Sequence, residues 1–167
     1  MPLGYCASAA GSQGANRLEE TLLPATTRRS LPMSLLRARE AVMSNFRPML
    51  MAHDVTEQQW RVLRVLGETE AVDASELAVR ASILPPSLTR IIRTLRDRKL
   101  ITRSKLNEDG RRVILSITPS GMQLLEKLTP ERRAIYEAIE TRFGTDKLEQ
   151  LLDLLDTLIR SETDAQR

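Results

Sequence analysis

The sequence predicts a mainly α fold carrying one small β-hairpin, in the order helix, helix, helix-turn-helix, hairpin, long helix, terminal helix. Three observations predict it. Apolar residues recur at helical spacing in most segments after Ser34. Pro85 and Pro86 open an amphipathic segment directly behind a short helix and a turn. Two β-branched runs, Leu100–Lys105 and Arg112–Thr118, flank the turn formers Asn107, Glu108, Asp109 and Gly110.

Residues 1–32 are rich in Ala, Gly, Ser and Thr and lack apolar periodicity. Such a stretch buries too little to offset its ordering entropy, so a disordered extension is expected, with translation naturally starting at Met33. Arg28 and Arg29 give it a short basic patch, and Cys6 lies within it. From Ser34 to Ala52, Leu35, Val42, Met43, Phe46, Met49 and Leu50 form the stripe of a first long helix, which Pro48 is expected to kink. Thr56 and Gln59 have the spacing of a capping box and start a second helix through Trp60, Leu63 and Leu66. Asp73 and Glu76 repeat that spacing for a short helix to about Ala81.

The next helix runs from Pro85, whose missing N–H is harmless in a first turn, to about Arg98. Leu84, Leu88, Ile91, Ile92 and Leu95 fall on its core side, and Pro86, Arg90, Arg93 and Asp97 on the other. The hairpin follows, with Arg111 and Arg112 beside its tip. Thr118 and Pro119 begin a long helix to Phe143, with Leu124, Leu125, Leu128, Ile135, Ala138 and Ile139 at helical spacing and Pro130 expected to bend or interrupt it. Thr145 is expected to cap a last helix whose Leu148, Leu151, Leu152, Leu155, Leu158 and Ile159 make a broad apolar face. Helices from the two ends of so small a chain have little of their own domain to cover them. The simplest remedy is a symmetric dimer, with 33–55 and 119–163 as dimerisation helices around a lobe at 56–118.

The charge pattern narrows the function. Between residues 74 and 118, ten basic residues face four acidic ones (Glu76, Asp97, Glu108, Asp109), a net +6 in a chain of +3. A local positive field on a presented helix and hairpin suits a surface that meets nucleic acid. Aromatic residues are only 3% of the 167, which disfavours base stacking on single strands and favours a duplex backbone. One Cys and one His leave no internal disulfide and no Cys/His zinc site, so neither metal nor cofactor is expected and a reducing cytoplasm fits. No run approaches a membrane span, and no secretory apolar block is present in the first thirty residues. Without a nucleophile–base pair, a Gly-rich phosphate loop or clustered carboxylates, no enzyme is expected.

The element order, with ELAVRASILPPSLTRIIRTLRDRKLITR, the Asp109-Gly110-Arg111 wing motif and ITPSG, resembles the MarR family of winged helix-turn-helix repressors across about Leu35 to Ile159. The stretch LLRAREAVMSNFRPMLMAHDVTEQQWRVLRVL further resembles the subgroup that regulates homoprotocatechuate (4-hydroxyphenylacetate) degradation operons. The resemblance implies a homodimeric cytoplasmic repressor, nucleoid-associated when bound, that occupies a pseudo-palindromic DNA operator and is released by a small phenolic or aromatic acid. It carries DNA contacts onto Pro85, Pro86, Ser87, Thr89, Arg90, Arg93, Asp109 and Arg111. Gly110 departs from the basic residue many relatives have, and Arg112 is expected to substitute.

In that setting the helix from Pro85 enters the major groove, where one bidentate Arg–guanine pair discriminates by about 1–3 kcal/mol. Arg98, Lys99, Arg103 and Lys105 are expected at phosphate or solvent. Arg111 suits a narrow minor groove, steadied by Asp109. A carboxylate effector needs a cation and a phenol needs a hydrogen-bonding partner, for which Arg37, Arg39, Arg47, His53 and Trp60 are the candidates. The competing readings are a ligand-independent activator and a redox-responsive regulator.

Overall fold

The computed structural model describes residues 30–105 and 113–165, without the side chain of Lys105. Their elements are α1 (Leu31–Ala52), α2 (Glu57–Gly67), β1 (Val72–Asp73), α3 (Ala74–Arg80), α4 (Pro85–Asp97), β2 (Ile101–Lys105), β3 (Val113–Ile117), α5 (Pro119–Phe143) and α6 (Thr145–Asp164). The predicted class and order hold. The Thr56–Gln59 capping box forms with both hydrogen bonds, Gln59 N to Thr56 Oγ1 at 3.2 Å and Thr56 N to Gln59 Oε1 at 3.0 Å. Asp73 accepts from the amides of Ser75 and Glu76, each at 2.9 Å, while the Glu76 carboxylate meets Arg80 instead of closing a box.

Four local expectations change. Helix α1 begins at Leu31, earlier than Ser34, and Pro130 does not interrupt α5, which like α1 at Pro48 stays helical across its proline. Packing near each proline offsets its lost hydrogen bond, since Met49, Leu50 and Leu128 are almost fully buried. Thr145 does not cap α6. Gly144, at φ 94, both ends α5 and starts α6, a conformation open to glycine and closed to most other residues. The hairpin belongs to a three-stranded antiparallel sheet in the order β1-β3-β2, because Val72 and Asp73 pair with Leu115 and Ile114. On the other side β2 runs in register from Ile101 opposite Ile117 to Lys105 opposite Val113.

The chain divides between Ser44 and Asn45 into two compact units. In the first, Leu31 and Leu36 on α1 are exposed. In the second, the core joins Leu63 and Leu66 of α2, Val72 of β1, Leu77 of α3, Leu88, Ile91 and Leu95 of α4 and Leu115 of β3. Each large buried side chain there is worth about 1.5–3 kcal/mol relative to exposure. No residue of α6 is buried.

Three helices of this unit end in the same way. Asp54, Ser82 and Lys99 hold φ of 54, 51 and 59, each one residue beyond a helix cap. At each, the next amide returns to the carbonyl five residues back: Val55 to Leu50, Ile83 to Ala78 and Leu100 to Leu95, at 2.9–3.0 Å. These are Schellman ends built without glycine, so each holds an ordinary residue in a left-handed conformation that must be supported from outside.

Candidate nucleic-acid interface and ligand cleft

Helix α4 sorts its residues cleanly. Leu88, Ile91 and Leu95 are buried, Ile92 is half-buried, and Pro85, Pro86, Ser87, Thr89, Arg90 and Arg93 are exposed. Leu84 departs from the predicted stripe: it is the residue before the helix, 75% exposed, and supplies no side-chain cap. Thr89 donates its hydroxyl to the Pro85 carbonyl at 3.2 Å, which satisfies that proton and leaves the oxygen able to accept. Arg93 and Arg96 of α4, with Arg103 of β2, edge a groove of about 460 Å³ floored by Ile92, Val113 and Leu115. Arg98 donates through Nη1 to the Asp54 carbonyl at 2.6 Å, which braces the end of α1. Lys105 ends β2; Asp109, Arg111 and Arg112 lie outside the described residues, as does Cys6.

The two ends of α4 are anchored by other elements. In front, Arg61 of α2 donates through Nη1 to the carbonyls of Ala81 and Ser82, at 2.9 and 3.0 Å. Behind, Thr118 donates its hydroxyl to the Lys99 carbonyl at 2.8 Å and its amide to the Leu100 carbonyl at 3.0 Å, and accepts from Gly121 N at 3.0 Å. Gly121 is required there, since a methyl group would overlap the Leu100 carbonyl oxygen. The ITPSG stretch is thus the buckle that ties α5 to the end of α4.

A second concavity, of about 320 Å³, is lined by Trp60, Arg61, Arg64, Val65, Glu68, Arg80, Ala81, Ser82 and Tyr136. The Phe46 ring stands 5.5 Å from Trp60 and 5.4 Å from Tyr136, edge-on to the latter, fixing an aromatic wall. Three guanidinium groups face one carboxylate among the lining residues, and Arg64 donates to that carboxylate, on Glu68, at 2.8 Å. An apolar aromatic wall with surplus positive charge suits a small aryl carboxylate. Of the predicted effector residues, Trp60 lines this cleft. Arg47 meets Glu57 at 2.7 Å and His53 meets Glu131 at 3.2 Å, so each has a carboxylate partner, while Arg37 and Arg39 are exposed on α1. Arg64 and Tyr136 escaped the sequence reading. Arg64 stands four residues after Trp60 on α2 and so shares its face, a signal that was present; nothing local marks Tyr136.

A presented arginine helix behind a turn, backed by a β-hairpin and bracketed by longer helices, defines a winged helix-turn-helix transcription regulator. The MarR family model matches residues 55–113. The chain is 42% identical over 130 residues to the homoprotocatechuate degradative operon repressor of Escherichia coli, covering 78% of this chain and 88% of that one. It is 40% identical to NadR in a crystal structure with 4-hydroxyphenylacetate, with a TM-score of 0.75 over 83% of this chain and all of that one. It is 25% identical to the repressor CouR bound to a 23-mer DNA duplex, with a TM-score of 0.71 over 78% and 92% of the two chains. The chain belongs to the MarR family of transcriptional regulators. Among the described residues no helix is long and apolar enough to cross a membrane, and no cluster of His, Cys, Asp and Glu could hold a metal ion.

Proposed function

We propose that this protein is a homodimeric repressor that occupies a pseudo-palindromic operator and leaves it when a small aromatic acid enters the cleft beside Trp60. The observation that carries the reading is the exposure of Pro85, Ser87, Thr89, Arg90 and Arg93 on one side of α4 while Leu88, Ile91 and Leu95 anchor the other. The first helix of the pair crosses the backbone, α4 lies in the major groove, and the hairpin bearing Asp109, Arg111 and Arg112 reaches the flanking minor groove. A two-fold axis places two such units about one helical turn apart. Leu151, Leu152, Leu154 and Ile159 on α6 are exposed in the single chain, an apolar face that a second copy would cover.

The effector reading draws on the E. coli operon repressor and the NadR complex, which point to a phenolic acid from aromatic catabolism. Trp60 and Tyr136 would face the ring, and Arg61 and Arg64 would share the carboxylate. The test is anisotropy of a labelled duplex from the region upstream of this gene. Binding by a dimer, weakened 5- to 150-fold by 4-hydroxyphenylacetate, is expected. Affinity no better than for a scrambled duplex would overturn the operator reading. Specific binding indifferent to aromatic acids would leave the ligand-independent alternative in its place. For the dimer, Leu152→Asp is expected to sediment as a monomer at micromolar concentration.

A further inference from the structure

We infer that Arg61 is the positioning residue through which occupancy of the cleft is transmitted to the DNA-reading helix. The inference rests on the reading of that cleft as the effector site and adds the route by which it acts. Arg61 stands at a junction. Arg61 lines the cleft, and its guanidinium holds the carbonyls of Ala81 and Ser82 in the turn that delivers Pro85.

That turn depends on the clamp. Ser82 holds a left-handed φ of 51 without being glycine, and its amide and that of Ile83 are spent on Val79 and Ala78. The Ala81 and Ser82 carbonyls point away from those bonds and are gathered by one nitrogen of Arg61. An aryl carboxylate in the cleft offers that nitrogen an ionised acceptor. A charge-assisted bond to a carboxylate is stronger than one to a neutral carbonyl, so the guanidinium turns toward the ligand and the clamp opens. The far end of α4 is held by Thr118 and Arg98, neither of which lines the cleft. Ligand entry therefore frees the base-reading end of α4 while its other end stays fixed.

The experiment uses two readouts on the full chain. Trp60 is the sole tryptophan, so its fluorescence reports cleft occupancy by 4-hydroxyphenylacetate, while operator anisotropy with and without ligand reports coupling. Arg61→Gln is expected to bind operator more weakly without ligand and to bind the ligand more weakly, with the Trp60 signal still reaching saturation at higher concentration, so that coupling is compared at saturating ligand. The ligand-induced loss of operator affinity should fall from the wild-type value to under about twofold. Arg61→Lys, which keeps the charge but not the fork, should recover part of the loss. In the wild type, amide exchange at Ser82 and Ile83 should accelerate with ligand while Lys99 and Leu100 stay unchanged, a measurement that needs no variant to fold. A wild-type ratio in Arg61→Gln, or ligand-insensitive exchange at Ser82 and Ile83 in a protein whose operator affinity does respond, overturns the Arg61 inference and leaves the cleft reading standing. A wild type whose Trp60 signal ignores the ligand overturns both.

Discussion

Before α4, Ser82 sits at φ 51 and its turn is held by the guanidinium of Arg61; after α4, Lys99 sits at φ 59 and its turn is held by Thr118 and by the close approach of Gly121. The backbone solution is the same and the fastening is not. A long charged side chain reaching from the wall of a cleft can be drawn away by an anion. A short hydroxyl paired with a backbone amide, under a glycine with no room for a methyl, cannot. Helix α4 thus has one releasable end and one fixed end, and the releasable one bears Pro85, Pro86, Ser87 and Thr89, the residues proposed to meet the groove.

Substitutions at the two ends separate the two fastenings. Gly121→Ala forces a methyl against the Leu100 carbonyl and is expected to lower stability by about 3 kcal/mol in urea denaturation, the largest single effect at the fixed end. Thr118→Val removes both the bond to Lys99 and the cap on α5, with a loss of about 1–2 kcal/mol. Arg98→Met loses the bond to Asp54, with a loss of about 1 kcal/mol in urea denaturation. Lys99→Gly relieves a left-handed residue and should raise stability by about 0.5–1 kcal/mol, as should Ser82→Gly, read from thermal midpoints.

Much of this was legible from local pattern. The sidedness of α4, the Thr56–Gln59 box and the helix start at Thr118 each depend on neighbours within four residues. Strand β1 was not, since two residues carry no period, and their pairing to β3 depends on a partner more than forty positions away. The start of α6 at Gly144 was not legible either, because a positive φ does not show in the neighbouring residues. The guanidinium braces from Arg61 and Arg98 reach carbonyls 20 and 44 residues distant, and carbonyls are present at every position, so no residue type marks the acceptor. The aromatic wall of the cleft is legible only as far as Trp60 and Arg64 on one helix; Phe46 and Tyr136 arrive by tertiary packing.

Whether the exposed side of α4 lies in duplex DNA is decided by operator titrations of Arg90→Ala and Arg93→Ala across a salt series. The expected result is weaker binding for both, with a salt slope shallower by about one for each lost phosphate contact, or a sequence-dependent loss for an arginine that reads a base. Wild-type affinity and wild-type slope in both variants would contradict the account.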